Sequence, residues 1–187
     1  HPPPRNHAPP PRSIHPTTTI IDILHQTTPH TAKTFGENRS TDYRYILESG
    51  NDHLVPLEDE LKFAESYIHI QKERFGENLI LDWQINSSLR SSLIVPMSIQ
   101  LLLENAIKHN VVSRLKPLTI RVKSMSDSLT VTNNIQAKLT PEHSTQMGLQ
   151  NIEKRYELLG DARPIITNDG IQFSVTLPLL PPNEPKV

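Results

Sequence analysis

The sequence contains no cysteine among its 187 residues. Disulfide staples, thiolate nucleophiles and cysteine-ligated zinc are therefore excluded. Long apolar runs are also missing. A membrane-spanning helix needs about 20 consecutive apolar residues, so membrane attachment is expected only through a longer parent chain. The N-terminus is rich in histidine and proline, unlike the apolar core of a signal peptide. Excess charge of one sign is absent too: 19 basic side chains face 20 acidic ones. A general nucleic-acid binder would carry a basic excess, so any anion site here must be local. Only six glycines occur, and none falls in a Gly-x-Gly-x-x-Gly or Walker A run.

Proline is plentiful instead. Seven of the 17 prolines lie in residues 1–16. Pro2-Pro3-Pro4 and Pro9-Pro10-Pro11 favour polyproline II and forbid helical hydrogen bonding, so residues 1–16 read as a disordered tail. Five of the nine histidines fall in residues 1–30 without a repeating ligand spacing, which fits compositional bias better than a metal site. From Thr17 to about Ser49 the helical pattern is weak, and any helices there need a partner. A convincing helix opens at Val55-Pro56-Leu57, with acids in its first turn and Gly76 as its stop. Leu57, Leu61, Ala64 and Ile68 form one apolar stripe, and Phe63, Tyr67 and Ile70 a second.

Beyond Gly76 the periods alternate. Leu79, Leu81, Trp83 and Ile85 predict a strand with one buried face. Pro96 leads into a second helix from about Met97 to Asn110. Leu118, Ile120 and Val122, then Leu129 and Val131, predict two strands joined near Ser126-Asp127. A polar loop is expected from Asn133 to Gln146. Gly148 opens a third helix carrying Leu149, Ile152, Tyr156 and Leu159. Ile171, Phe173, Val175 and Leu177 form a last strand, paired with Ile165-Ile166 through an Asn168-Asp169-Gly170 turn. Hairpins in one layer and helices in the other give a two-layer α/β sandwich. The expected organisation is a tail over 1–16, a helical region over 17–76, an α/β domain over 77–180 and a short tail over 181–187.

The second helix carries a chemical constellation. Ile99, Leu102, Leu103, Ala106 and Ile107 share one buried face. Glu104 and Lys108 stack along one flank; Asn105 and His109 stack along the adjoining flank. A carboxamide oxygen is a hard ligand suited to Mg²⁺. A lysine and a histidine can neutralise phosphate, and a carboxylate can orient or deprotonate a nucleophile. The plainer reading is an exposed ion pair beside a surface amide and imidazole. Spacing alone favours that plainer reading.

The segment Leu103-Glu104-Asn105-Ala106-Ile107-Lys108-His109-Asn110 resembles the N box of the LytS/YehU-type sensor histidine kinases, members of the GHKL ATPase fold. Pro56-Leu57-Glu58-Asp59-Glu60-Leu61, Tyr67-Ile68 and Lys72-Glu73-Arg74-Phe75-Gly76 resemble the helix before that family's ATP-binding domain. Val95-Pro96-Met97 and Leu101 resemble its lead-in to the N box. The run Gly148-Leu149-Gln150-Asn151-Ile152-Glu153-Lys154-Arg155-Tyr156 resembles its second glycine box, and Tyr43-Arg44-Tyr45 a patch of its dimerisation region. The resemblance implies ATP and Mg²⁺ as cofactors. Asn105 would ligate the metal, and Glu104 would polarise the acceptor histidine. Lys108 and His109 would meet the phosphates, with Gly148, Leu149 and Asn151 at a helix N-terminus. It also implies a response regulator as partner, a homodimer through the region before Gly76, and a cytoplasmic location as part of an inner-membrane sensor.

The chain departs from the family twice. Where the first glycine box usually reads Asp-Asn-Gly, this chain has Asn133-Asn134-Ile135. Asn133 can still accept a hydrogen bond from adenine, without the charge that strengthens it. Counting back without gaps from Tyr43 puts Arg12 at the phosphoacceptor position, and His15 or His7 serves only with a shift. Three functions compete: an ATP-dependent protein-histidine kinase, a pseudokinase used as a protein-binding module, and a GHKL ATPase with another output. Glu104, Asn105 and Gly148 favour the first; Asn133, Ile135 and Arg12 favour the second.

Overall fold

The structure is a computed structural model and describes residues 54–140, 147–160 and 162–182. The expected Pro/His tail, the Tyr43-Arg44-Tyr45 patch, Arg12 and the last residues of the C-terminal tail lie outside these described residues. All described residues fall in one compact unit, Asp52–Val187.

The elements in chain order are β1 (Val55–Pro56), α1 (Leu57–Phe75), β2 (Leu79–Gln84), β3 (Leu93–Ile94), α2 (Ser98–His109), β4 (Leu118–Met125), β5 (Ser128–Asn134), α3 (Met147–Leu159), β6 (Ile165–Asn168) and β7 (Gln172–Pro178). Five strands form one sheet in the order β2-β4-β5-β7-β6. β2 runs parallel to β4, and every other neighbouring pair is antiparallel. β1 and β3 form a separate two-stranded ribbon. Leu93 extends that ribbon by exchanging backbone hydrogen bonds with Leu180, at 2.8 and 2.9 Å.

Alternation sets the sheet's two faces. Leu118, Ile120 and Val122 of β4, Leu129 and Val131 of β5, and Val175 and Leu177 of β7 are buried on one face. The helices supply the opposing surface with Leu102, Leu103, Ala106 and Ile107 of α2 and Ile152 and Tyr156 of α3. Each fully buried aliphatic side chain contributes about 1.5–3 kcal/mol. The Tyr156 hydroxyl donates to the Pro178 carbonyl at 2.9 Å, which ties α3 to β7. The other face carries hydroxyl pairs, Thr130 with Thr176 at 2.9 Å and Thr132 with Ser174 at 2.7 Å. This is the two-layer α/β sandwich that the pattern predicts.

α1 buries its first predicted stripe, Leu57, Leu61, Ala64 and Ile68, and Phe63 and Tyr67 of the second, whose Ile70 is half-buried. Its first amides are not left open. Leu57 N–H donates to Ser92 O at 2.7 Å and Glu58 N–H to Arg90 O at 2.9 Å, which satisfies two of the four orphan donors of a helix start. Gly76 ends it at φ 55° and ψ −134°, a conformation that favours glycine.

Some expectations change. β2 is an edge strand, so only Leu79 is fully buried while Leu81 and Trp83 are half-buried; Ile85 lies past its end. Ile171 also falls outside β7 and is exposed. The β1–β3 ribbon has no signature in the sequence because two-residue strands carry no period.

Candidate functional site

α2 begins from Met97, which has φ 66° and is the one non-glycine residue with positive φ among the described residues. No side chain of its own caps this helix. Every residue from Ser98 to His109 is buried or half-buried. The polar flank is therefore recessed rather than laid out on open surface, against the plainer reading of the constellation. At 100° per residue, Leu101, Asn105 and Lys108 form one strip, with Glu104 and His109 to either side.

Glu104 is held within this recess. Gln100, itself buried, donates its Nε2–H to Glu104 Oε1 at 3.2 Å. Burial raises the Glu104 pKa, while the Gln100 hydrogen bond and the Lys108 charge oppose that rise. On α1, burial and then the Glu104 charge raise the pKa of Tyr67, so the phenol and this carboxyl interact electrostatically. The Gln100 Oε1 atom is buried with no hydrogen-bond partner.

α3 brings its first turn to the same flank. A Cβ added at Gly148 would meet Leu101 Cδ2 at 3.9 Å, an ordinary contact. Leu101 stands one turn before Asn105 on the strip. Gly148 therefore belongs beside the Asn105 flank, but neither space nor positive φ demands glycine there. Leu149 and Asn151 are half-buried in the same part of α3. Asn133 is only 5% exposed, in line with Leu129 and Val131 on the helix-facing side of the sheet. Its Nδ2 donates to Asn134 O at 2.9 Å. Asn134 points the other way, accepting from Thr119 N–H at 2.8 Å.

The segment after β5 is latched to the end of α2. Asn110 Nδ2 donates to Ala106 O, and its Oδ1 accepts from Gln136 N–H, each at 2.8 Å. Gln136 Nε2 in turn donates to Val111 O, Lys116 O and Pro117 O. Lys138 N–H donates to His109 O at 3.2 Å. Gln100 and Gln136 were not singled out from the sequence, and Asn110 and Tyr67 were named there without a role at the site. Arg155, within the run that resembles the second glycine box, donates to Pro96 O at 3.0 Å.

The comparisons with known proteins now bear on this geometry. Residues 17–79 match the family model for histidine kinase. The sensor protein LytS of Staphylococcus haemolyticus (strain JCSC1435) is 30% identical over 129 residues, covering 60% of this chain and 22% of that protein. The sensor protein kinase HptS of Staphylococcus aureus (strain USA300) is 34% identical over 111 residues, covering 59% of this chain and 21% of that protein. The chain is thus similar to LytS-type sensor histidine kinases. It spans about a fifth of the length of these curated relatives. The solved cytoplasmic segment of histidine kinase QseC shares the fold, with a TM-score of 0.52 at 16% identity, covering 90% of this chain and 97% of that one. The two-layer sandwich is thus the fold seen in that histidine-kinase segment.

In this family setting the donor set can be weighed against Mg²⁺-ATP. A half-buried carboxamide on a recessed flank suits a hard cation that keeps part of its water shell. A buried amide on the sheet floor suits the edge of a base. The family's glycine position holds Ile135, whose N–H donates to Ile171 O at 2.8 Å. That backbone N–H is already paired, so it is not free to donate to a ligand. No helix among the described residues is long and apolar enough to cross a membrane.

Proposed function

We propose that this chain binds Mg²⁺-ATP between the polar flank of α2 and the first turn of α3. We infer that it serves as the nucleotide-binding part of a two-component sensor histidine kinase. The recessed Glu104-Asn105-Lys108-His109 flank facing Gly148 is the observation that carries this reading.

The chain's own groups divide the work. The Asn105 carboxamide oxygen holds Mg²⁺, and the metal neutralises phosphate charge when bound. Lys108 and His109 meet the phosphate oxygens. Gly148, Leu149 and Asn151 present the start of α3 to the triphosphate, where unpaired amides and the helix dipole favour an anion. Asn133 accepts from the adenine amino group. Glu104, with a proton affinity raised by burial, polarises the acceptor histidine as it attacks the γ-phosphorus, the bond to the β,γ-bridging oxygen breaks and ADP leaves. The phosphoryl group then passes to an aspartate of a response regulator. A homodimer formed through the helical region over residues 17–76 would bring acceptor and nucleotide together.

A second reading is a pseudokinase acting as a protein-binding module. It is favoured by Ile135 at the glycine position, paired through its backbone, and by Arg12 at the expected phosphoacceptor position. Calorimetric titration with Mg²⁺-ATP, using Asn105→Ala as control, separates the two. The kinase reading expects binding that Asn105→Ala abolishes, and acid-labile, alkali-stable phosphate on a histidine. Wild-type protein that binds no nucleotide would overturn it; binding without phosphate would favour the pseudokinase.

A further inference from the structure

The start of α2 is built by a residue from another helix. Glu60 of α1 is completely buried. Its Oε2 accepts from Met97 N–H at 3.1 Å, and its Oε1 accepts from Ile99 N–H at 3.3 Å. These are amides at the N-terminal end of α2, where a carboxylate is favoured by both hydrogen bonding and the helix dipole. Ordinarily the capping side chain comes from the residue just before the helix; here it lies 37 residues upstream. Met97 meanwhile adopts the left-handed conformation, which is sterically strained for a residue with a Cβ. Strain of this kind persists only where surrounding contacts over-determine it. The third helix joins the same point, because Arg155 of α3 donates to Pro96 O and interacts electrostatically with Glu60.

We propose that Glu60 is a positioning residue for the nucleotide site: by holding Met97 left-handed it fixes where α2 starts, and so where its Asn105 flank stands against the first turn of α3. The inference rests on the nucleotide-binding reading above. It makes α1 and the flank one mechanical unit. A shift of α1 along its axis drags the Met97 and Ile99 amides with it. A shift of α2 alone leaves a buried carboxylate without those donors, which is strongly disfavoured.

A double-mutant cycle tests this. Glu60→Ala, Met97→Gly and the double variant are titrated with Mg²⁺-ATP and melted thermally. Glycine takes the left-handed conformation without a steric cost. It should therefore recover affinity specifically where the holding carboxylate is gone. Loss of Met97 packing is common to both backgrounds and cancels in the cycle. Glu60→Ala is expected to weaken affinity about tenfold, and Met97→Gly to recover about fivefold more in that background than in wild type. Additive effects on affinity would overturn the proposal, since a merely structural Glu60 has no reason to couple to Met97. Should Glu60→Ala not fold, Glu60→Gln keeps one acceptor oxygen, and the same coupling at smaller size is required. If wild-type protein binds no nucleotide, the functional reading fails and the positioning role falls with it. The clamp is then judged separately, by whether Met97→Gly recovers melting temperature lost in Glu60→Ala.

Discussion

At the scale of single residues, Glu104 sits where chemistry and stability disagree. Its carboxyl accepts from Gln100 and interacts electrostatically with Tyr67 and Lys108, and burial raises its pKa above the ordinary 4.5. A carboxyl that holds its proton more tightly folded than unfolded favours the fold at low pH. That advantage is lost as pH rises from the unfolded pKa through the folded one. Glu104→Gln removes the ionisation and keeps the shape. The variant should melt above wild type at pH 7, and the gap should close below the ordinary glutamate range; equal melting across the whole range would show the carboxyl to be fully solvated. Phosphorylation should fall in the same variant if Glu104 polarises the acceptor. The sequence displays such residues because Glu104, Asn105, Lys108 and His109 stand four apart on one helix. It hides Glu60, which reads as one more acid serving the helix dipole in a first turn. The clue was positional: Glu60 shares its face with Phe63, Ala64 and Tyr67, all buried. Gln136 gave no signal, because its partners are backbone and side-chain groups 19–26 residues away in the chain.

At the scale of elements, the ends carry more information than the middles. Gly76 closes α1 with φ 55° and ψ −134°, and a Cβ there would meet nothing within 4 Å. Any cost of Gly76→Ala is therefore backbone strain alone. We expect a loss of about 1–3 kcal/mol in urea unfolding, and an unchanged midpoint would show that the turn relaxes. The β6–β7 turn is held differently. Asp169 Oδ1 accepts from Gln172 N–H at 2.7 Å and from Ile171 N–H at 2.9 Å. These bonds, the Gln172 one first, depress its pKa. A depressed carboxyl stabilises above its unfolded pKa and stops doing so as pH falls through the folded one. Wild-type protein should thus lose its advantage over Asp169→Asn on acidification below the ordinary aspartate value of 3.8. Amide exchange in β6 reports it directly, and a difference that persists at the lowest pH would contradict this account. Helices and long strands were legible because burial imposes a period on their residues. The β1–β3 ribbon and the parallel pairing of β2 were not, since neither leaves a repeating mark.

At the scale of the whole molecule, the sheet has two edges of unlike character. β2 bears the Asp82–Arg121 ion pair on its flank, at 2.8 Å. β6 reads Ile165-Ile166-Thr167-Asn168, uncharged and exposed throughout. Uncharged edges invite pairing with other chains. Ile165 stands opposite Thr176, on the hydroxyl-lined face away from the core. Ile165→Lys should therefore reduce concentration-dependent association in light scattering and leave Mg²⁺-ATP affinity unaltered; unchanged association would clear this edge. The order of strands also has a history in time. β4–β5 and β6–β7 close through short turns, whereas Leu79 of β2 must find Leu118 of β4 across β3 and α2. Closing the longer loop costs more chain entropy before any contact repays it. The hairpins can therefore form early, while β2 waits for the helix between it and its partner to dock. Completion of the sheet's last parallel seam and arrival of the Asn105-bearing helix are thus one folding event.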